Sequence, residues 1–158
     1  MLPERIAVLG PDKRLNAAIA KRIAKETGLE YMDLDGYMRY MLGGFTPYQT
    51  LLKSDADYLR RRIRSCIEDA ASFEGVAISA SPLIFCVGAD ILTASSLVFM
   101  TEGSFESVLS DKSLIMRLAD RSTIYGNIKA ALGASVAISC EQGYEEEIRK
   151  VLEVLIDG

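Results

Sequence analysis

The sequence predicts an α/β fold in which five parallel strands form one sheet covered by helices on both faces. Two observations carry that expectation. Five short, almost continuously apolar runs are each followed by a longer stretch of helical period, and strands without a polar side are those buried on both faces. The 158 residues, 49% hydrophobic and 25% charged, also suffice to bury one core around a central sheet.

Residues 5–9 (RIAVL) close on Gly10-Pro11 and read as the first buried strand. Apolar positions 15, 19, 20, 23 and 24 then follow helical spacing over residues 15–27, with Gly28 as the stop signal. A second strand is expected over 30–34 and a helical stretch over 36–42. Gly43-Gly44 breaks the chain, and Thr46-Pro47 restarts it with a hydroxyl at the cap and a proline in the first helical position. Residues 54–73 read as a long amphipathic helix with Leu59, Ile63, Ile67 and Ala70 along one stripe. Strand three is 75–79 (GVAIS) and strand four 96–101 (SLVFMT). A helix near 105–109 and helical material over 111–132 lead to strand five, 134–139 (ASVAIS). The last helix, 144–156, places Ile148, Val151, Leu152 and Leu155 on one face. No repeat, low-complexity tract or linker divides the chain, so 1–158 is expected to be a single domain.

Composition narrows the chemistry. A formal net charge of −4 argues against a nucleic-acid surface. The one basic run, Arg60-Arg61-Arg62 with Arg64, reads most simply as a solvated helix face. Cys66, Cys86 and Cys140 are widely spaced in apolar surroundings, as buried thiols of a reducing compartment would be. There is no histidine, which removes Ser-His catalysis, imidazole bases and the commonest zinc ligand. The N-terminus lacks a signal-peptide pattern and no apolar stretch approaches a membrane span. A cytoplasmic protein without a membrane partner is expected; no protein partner can be named.

In folds of this kind ligands sit at the carboxyl ends of the strands, above all at the first strand-to-helix turn. Here that turn reads Gly10-Pro11-Asp12-Lys13-Arg14-Leu15-Asn16-Ala17. Set against the Walker A pattern, Gly10 takes the first glycine, and Leu15, Asn16 and Ala17 fall on the second glycine, the lysine and the Ser/Thr. Leu15 does not allow close backbone approach to phosphate, Asn16 brings no charge, and Ala17 has no hydroxyl for magnesium. A weak anion site remains in the helix dipole with Lys13 and Arg14. The simpler reading makes Asn16 a helix cap and Lys13-Arg14 solvated turn charges.

From residue 6 to residue 155 the order and spacing of these blocks resemble the shikimate kinase family. The opening RIAVLGPDKRLNAAIAKRIAKETGLEYMDLD is similar to the family's strand, P-loop, helix and strand closing on Asp-x-Asp, here Asp33-Leu34-Asp35. DADYLRRRIRS and DRSTIYGNIKAA are similar to two later segments, and match Arg60 and Arg121 to substrate-binding arginines; the register of Arg60 against Arg61 stays open. The resemblance implies sheet order 2-3-1-4-5 in a P-loop NTPase fold, a magnesium-assisting role for Asp33, and a substrate-holding, candidate catalytic role for Asp35. It also marks departures. The family's three glycines after strand three are replaced by Ala80-Ser81-Pro82, after Ser79, which would narrow and stiffen the pocket floor. The long lid after strand four has shrunk, leaving only Lys112 and Arg117 as cations, with Arg117 in mid-helix.

Three readings follow. A shikimate-kinase-like protein that has lost phosphoryl transfer would bind a small molecule, such as a small acidic metabolite, or act as a regulatory module. A divergent small-molecule kinase would use Lys13 or Arg14 in place of the Walker lysine, with ATP and magnesium as cofactors. A structural or interaction protein would have its cleft filled by Leu15, Ser79 and Pro82.

Overall fold

The five apolar runs form β1 (Arg5–Leu9), β2 (Glu30–Asp33), β3 (Val76–Ser79), β4 (Leu97–Thr101) and β5 (Val136–Ile138) in a computed structural model that describes residues 2–110, 113–139 and 143–157. All pairings are parallel and the order is β2-β3-β1-β4-β5. Ala7 of β1 lies opposite Ile78 of β3 on one side and Val98 of β4 on the other.

Side-chain alternation sends each strand's residues to two separate apolar layers. Ile6, Val8, Ala77, Phe99 and Ile138 face α1 (Lys13–Thr27) and α8 (Tyr144–Asp157), which contribute Ile19, Ile23, Ile148 and Val151. Ala7, Leu9, Ile78, Val98 and Met100 face the larger layer. That layer is covered by α2 (Leu34–Met41), α4 (Ala56–Ala70), α5 (Ala89–Ser95), α6 (Leu114–Leu118) and α7 (Arg121–Gly133). Both faces are thus covered, as continuous apolar strands require. The short α3 (Pro47–Lys53) carries the expected cap: the Thr46 hydroxyl accepts from the Gln49 amide at 3.2 Å and the Gln49 side chain accepts from the Thr46 amide at 2.9 Å.

Several expectations need correction. The first helix begins at Lys13, two residues early, because Asp12 caps it. The 54–73 helix starts at Ala56, since Ser54 ends α3 and Asp55 caps α4 through the Tyr58 amide. Residues 105–109 make turns, with Leu109 N donating to Phe105 O, and no regular helix. The 111–132 stretch divides: extended Ala119 ends α6, and Asp120 caps α7 through Thr123. Its first two residues, including Lys112, and Cys140 lie outside the described residues. Residues 80–95, given no element by patterning, form a 3₁₀ turn over Pro82–Phe85 and then α5.

The basic run does more than face water. The Arg60 Nη1 group donates to the Leu118 carbonyl at 2.8 Å, and Arg62 Nη2 donates to the Met41 carbonyl at 2.8 Å. Two cations of α4 thereby satisfy the last turns of α6 and α2, where carbonyls lack helical partners. Cys66 and Cys86 are buried and unpaired, and burial pushes the Cys86 thiol up to about 12. No described helix is long and apolar enough to cross a membrane.

Phe85 is fully buried and meets Phe105 edge-on, with centroids 5.5 Å apart. Phe85→Ala is expected to cost about 3–5 kcal/mol in urea unfolding; a loss under about 1 kcal/mol would remove this side chain from the load of the larger core.

Candidate functional site

The carboxyl ends of β1 to β4 open onto a cleft of about 1100 Å³. Its floor is built from backbone constraints. Gly10 has φ 148°, and a Cβ there would lie 1.8 Å from the Thr101 hydroxyl, so no side chain fits between the ends of β1 and β4. Only Pro11 and Asp12 then separate Gly10 from α1.

Asp12 accepts hydrogen bonds on Oδ1 from the Arg14 amide at 3.0 Å and the Leu15 amide at 3.2 Å, and its carbonyl receives the Asn16 amide at 3.0 Å. The positive end of α1 is therefore faced by a carboxylate of its own chain. The reading of Asn16 as the cap is corrected, and Lys13 and Arg14 belong to the first helical turn, where both are exposed on the cleft wall.

Asn16 is wholly buried. Its Nδ2 donates to Gly10 O and Ala80 O, both at 3.1 Å, and its Oδ1 accepts from the Thr101 hydroxyl at 2.9 Å. One neutral amide thus joins the ends of β1, β3 and β4. Ala17 points to a separate groove on the outer side of α1 with Arg14, Ala18 and Lys21.

Asp33 caps α2 by accepting from the Asp35 amide at 3.1 Å, and its exposed carboxylate borders the cleft. Asp35 accepts from the Ser81 amide at 3.0 Å and the Ser81 hydroxyl at 2.6 Å, tying α2 to the turn after β3. Burial pushes the Asp35 carboxyl above its ordinary value, opposed by the Ser81 bonds and the Lys13 charge. Among the described residues, no three His, Cys, Asp or Glu side chains stand close enough to hold a metal ion.

Arg60 and Arg121 do not line the cleft. Besides Leu118 O, Arg60 pairs with Asp57. Arg121 donates to Leu109 O at 2.8 Å and pairs with Glu106 at 3.4 Å, while the Tyr125 hydroxyl donates to the same Glu106 carboxylate. The segment after β4, read from the sequence as too short for a long lid, is latched to α7 by this trio. It also leans on the first turn, because a Cβ on Gly103 would fall 2.9 Å from Pro11 Cγ. Ser79 lies buried beneath the floor, bonded to the Tyr31 hydroxyl at 2.7 Å; Leu15, Ser81 and Pro82 border the cleft without closing it. Arg39, which no sequence motif singled out, does line it, four residues after Asp35 on α2.

Two outcomes are expected. Asn16→Ala leaves the buried Gly10 and Ala80 carbonyls without their amide donor, while the Thr101 hydroxyl keeps Leu9 O as an acceptor at 3.2 Å. It should cost about 2–4 kcal/mol in urea unfolding; a cost near zero would show that water replaces the amide. The Tyr125 hydroxyl and then the Arg121 charge hold the exposed Glu106 carboxyl below its ordinary value of 4.5. A depressed acid stabilises only while ionised, so the latch is present above that value and is lost as pH falls through and below it. Protection of amides 105–109 against hydrogen exchange should drop in that range and should be low and pH-independent in Glu106→Gln; unchanged protection in both would exclude the latch.

No protein-family model matches the chain, and no curated protein matches it in sequence. Solved structures do. Shikimate kinase from Bacteroides thetaiotaomicron superimposes with a TM-score of 0.73 at 16% identity, over 96% of this chain and 98% of that one. Shikimate kinase from Acinetobacter baumannii in complex with shikimate gives 0.72 at 14% identity, over 98% and 94%. A gluconokinase from Sinorhizobium meliloti gives 0.57 at 20% identity, over 99% and 93%. The chain has the fold of the P-loop small-molecule kinases.

Proposed function

We propose that this protein is a shikimate-kinase-like binder that has lost phosphoryl transfer, holds a small acidic metabolite in its cleft and serves as a cytoplasmic regulatory module. The observation that carries this reading is the Asp12 carboxylate seated on the Arg14 and Leu15 amides. A phosphate entering there would meet a like charge, itself exposed and screened, already occupying the two amides it would need. Lys13 and Arg14 offset part of that, but both are exposed and screened.

The surrounding residues do not fit a magnesium triphosphate. The Walker-lysine position holds a neutral amide already bonded to Gly10, Ala80 and Thr101. Ala17 offers no hydroxyl and faces the outer groove. Phosphoryl transfer rests almost wholly on positioning and on charge stabilisation, so these features together leave it without its main supports. The open cleft favours a bound small molecule over a filled, purely structural core. The shikimate held by one structural neighbour suggests a hydroxylated carboxylic acid as the class of ligand.

The divergent-kinase reading has one observation in its favour, since Lys13 and Arg14 both border the cleft. Titration calorimetry separates the two. ATP with magnesium should bind more weakly than about 1 mM and give no turnover in a coupled assay containing shikimate. Micromolar ATP affinity together with turnover overturns the proposal, and loss of that turnover in Lys13→Ala would then assign the lysine.

A further inference from the structure

The two arginines that resemblance assigns to a substrate carboxylate are engaged elsewhere, Arg60 with Leu118 O and Asp57, Arg121 with Leu109 O and Glu106. A cleft for an organic acid needs another cation. Three line it: Lys13, Arg14 and Arg39. Lys13 is a point charge beside Asp35, whose ionised form it favours. Arg14 also opens onto the outer groove of α1, and its guanidinium makes no hydrogen bond among the described residues.

Arg39 differs from both. It follows Asp35 by one helical turn, so α2 presents the two side chains on one face toward the cleft. Its Nε donates to Gly44 O at 3.1 Å. Gly44 has φ 91°, a conformation that only glycine adopts freely, so the turn after α2 is shaped to hold that carbonyl in place. This bond anchors the guanidinium, while Nη1 and Nη2 have no acceptor and no carboxylate partner among the described residues. A planar fork held at one corner, with two free donor groups, is suited to a carboxylate. The Thr46 hydroxyl and the exposed Asp33 carboxylate border the same space.

We infer that Arg39 is the residue that clamps the carboxylate of the cleft's ligand, replacing Arg60 and Arg121 in that role. The inference rests on the reading of the cleft as a site for a small organic acid. Its test compares shikimate with its neutral methyl ester by titration calorimetry on the full chain. The wild type should prefer the acid by about tenfold to a hundredfold. Arg39→Ala should remove that preference, and Arg39→Lys should restore only part of it, because charge returns without the fork. Arg60→Ala and Arg121→Ala should keep the preference. The ratio of acid to ester within one variant does not depend on the fraction folded. An undiminished preference in Arg39→Ala, or its loss in Arg60→Ala or Arg121→Ala, overturns the role of Arg39 and leaves the cleft reading standing. A wild type that binds neither compound overturns both.

Discussion

One buried amide organises the working end of this molecule. Asn16 sits where α1 leaves the sheet, and its side chain joins Gly10, Ala80 and Thr101, the residues that close β1, β3 and β4. Three strands run in parallel toward that point, and two of them would otherwise end in carbonyls shut off from water, each costly if unpaired, while the Thr101 hydroxyl has Leu9 O as a second acceptor. Both amide hydrogens and the amide oxygen are used. The cleft is therefore bordered by a floor whose polar groups have already found partners within the fold.

The same economy of internal pairing extends around the rim. The first helix turn is faced by Asp12, the turn after β3 is held by Asp35 through Ser81, and the last turns of α2 and α6 are closed by Arg62 and Arg60. These charged side chains are all engaged by the protein's own backbone and hydroxyls. What stays available is a narrower set: Lys13, Arg14 and Arg39 as cations, Asp33 and Glu102 as anions, and a few hydroxyls. On the function proposed above, this rim serves a small polar molecule rather than a highly charged triphosphate.

Much of the fold was legible in the sequence because its signals are local and redundant. Each strand is an apolar run bounded by turn residues, Gly28 stops α1 with φ 81°, and Thr46-Pro47-Tyr48-Gln49 is a complete capping box. Less was legible at the site, since its decisive contacts are tertiary. Asn16 reads as a cap when only its neighbours are seen; its true partners lie 64 and 85 residues further along the chain. Asp12 outcompetes it because it stands at the helix edge with a free carboxylate. Arg60 matches a family position, yet the end of α6 reaches it first. Arg39 carried one usable signal, its four-residue distance from Asp35 on a helix, but that spacing alone does not reveal which face is open.

Thr101 ties the glycine to the amide. A Cβ at position 10 and the hydroxyl of residue 101 cannot share the same space, and that hydroxyl is also bonded to Asn16. A side chain at position 10 therefore disturbs the seam between β1 and β4 and the buried amide together, so the energetic effects of changes at positions 10, 16 and 101 do not add.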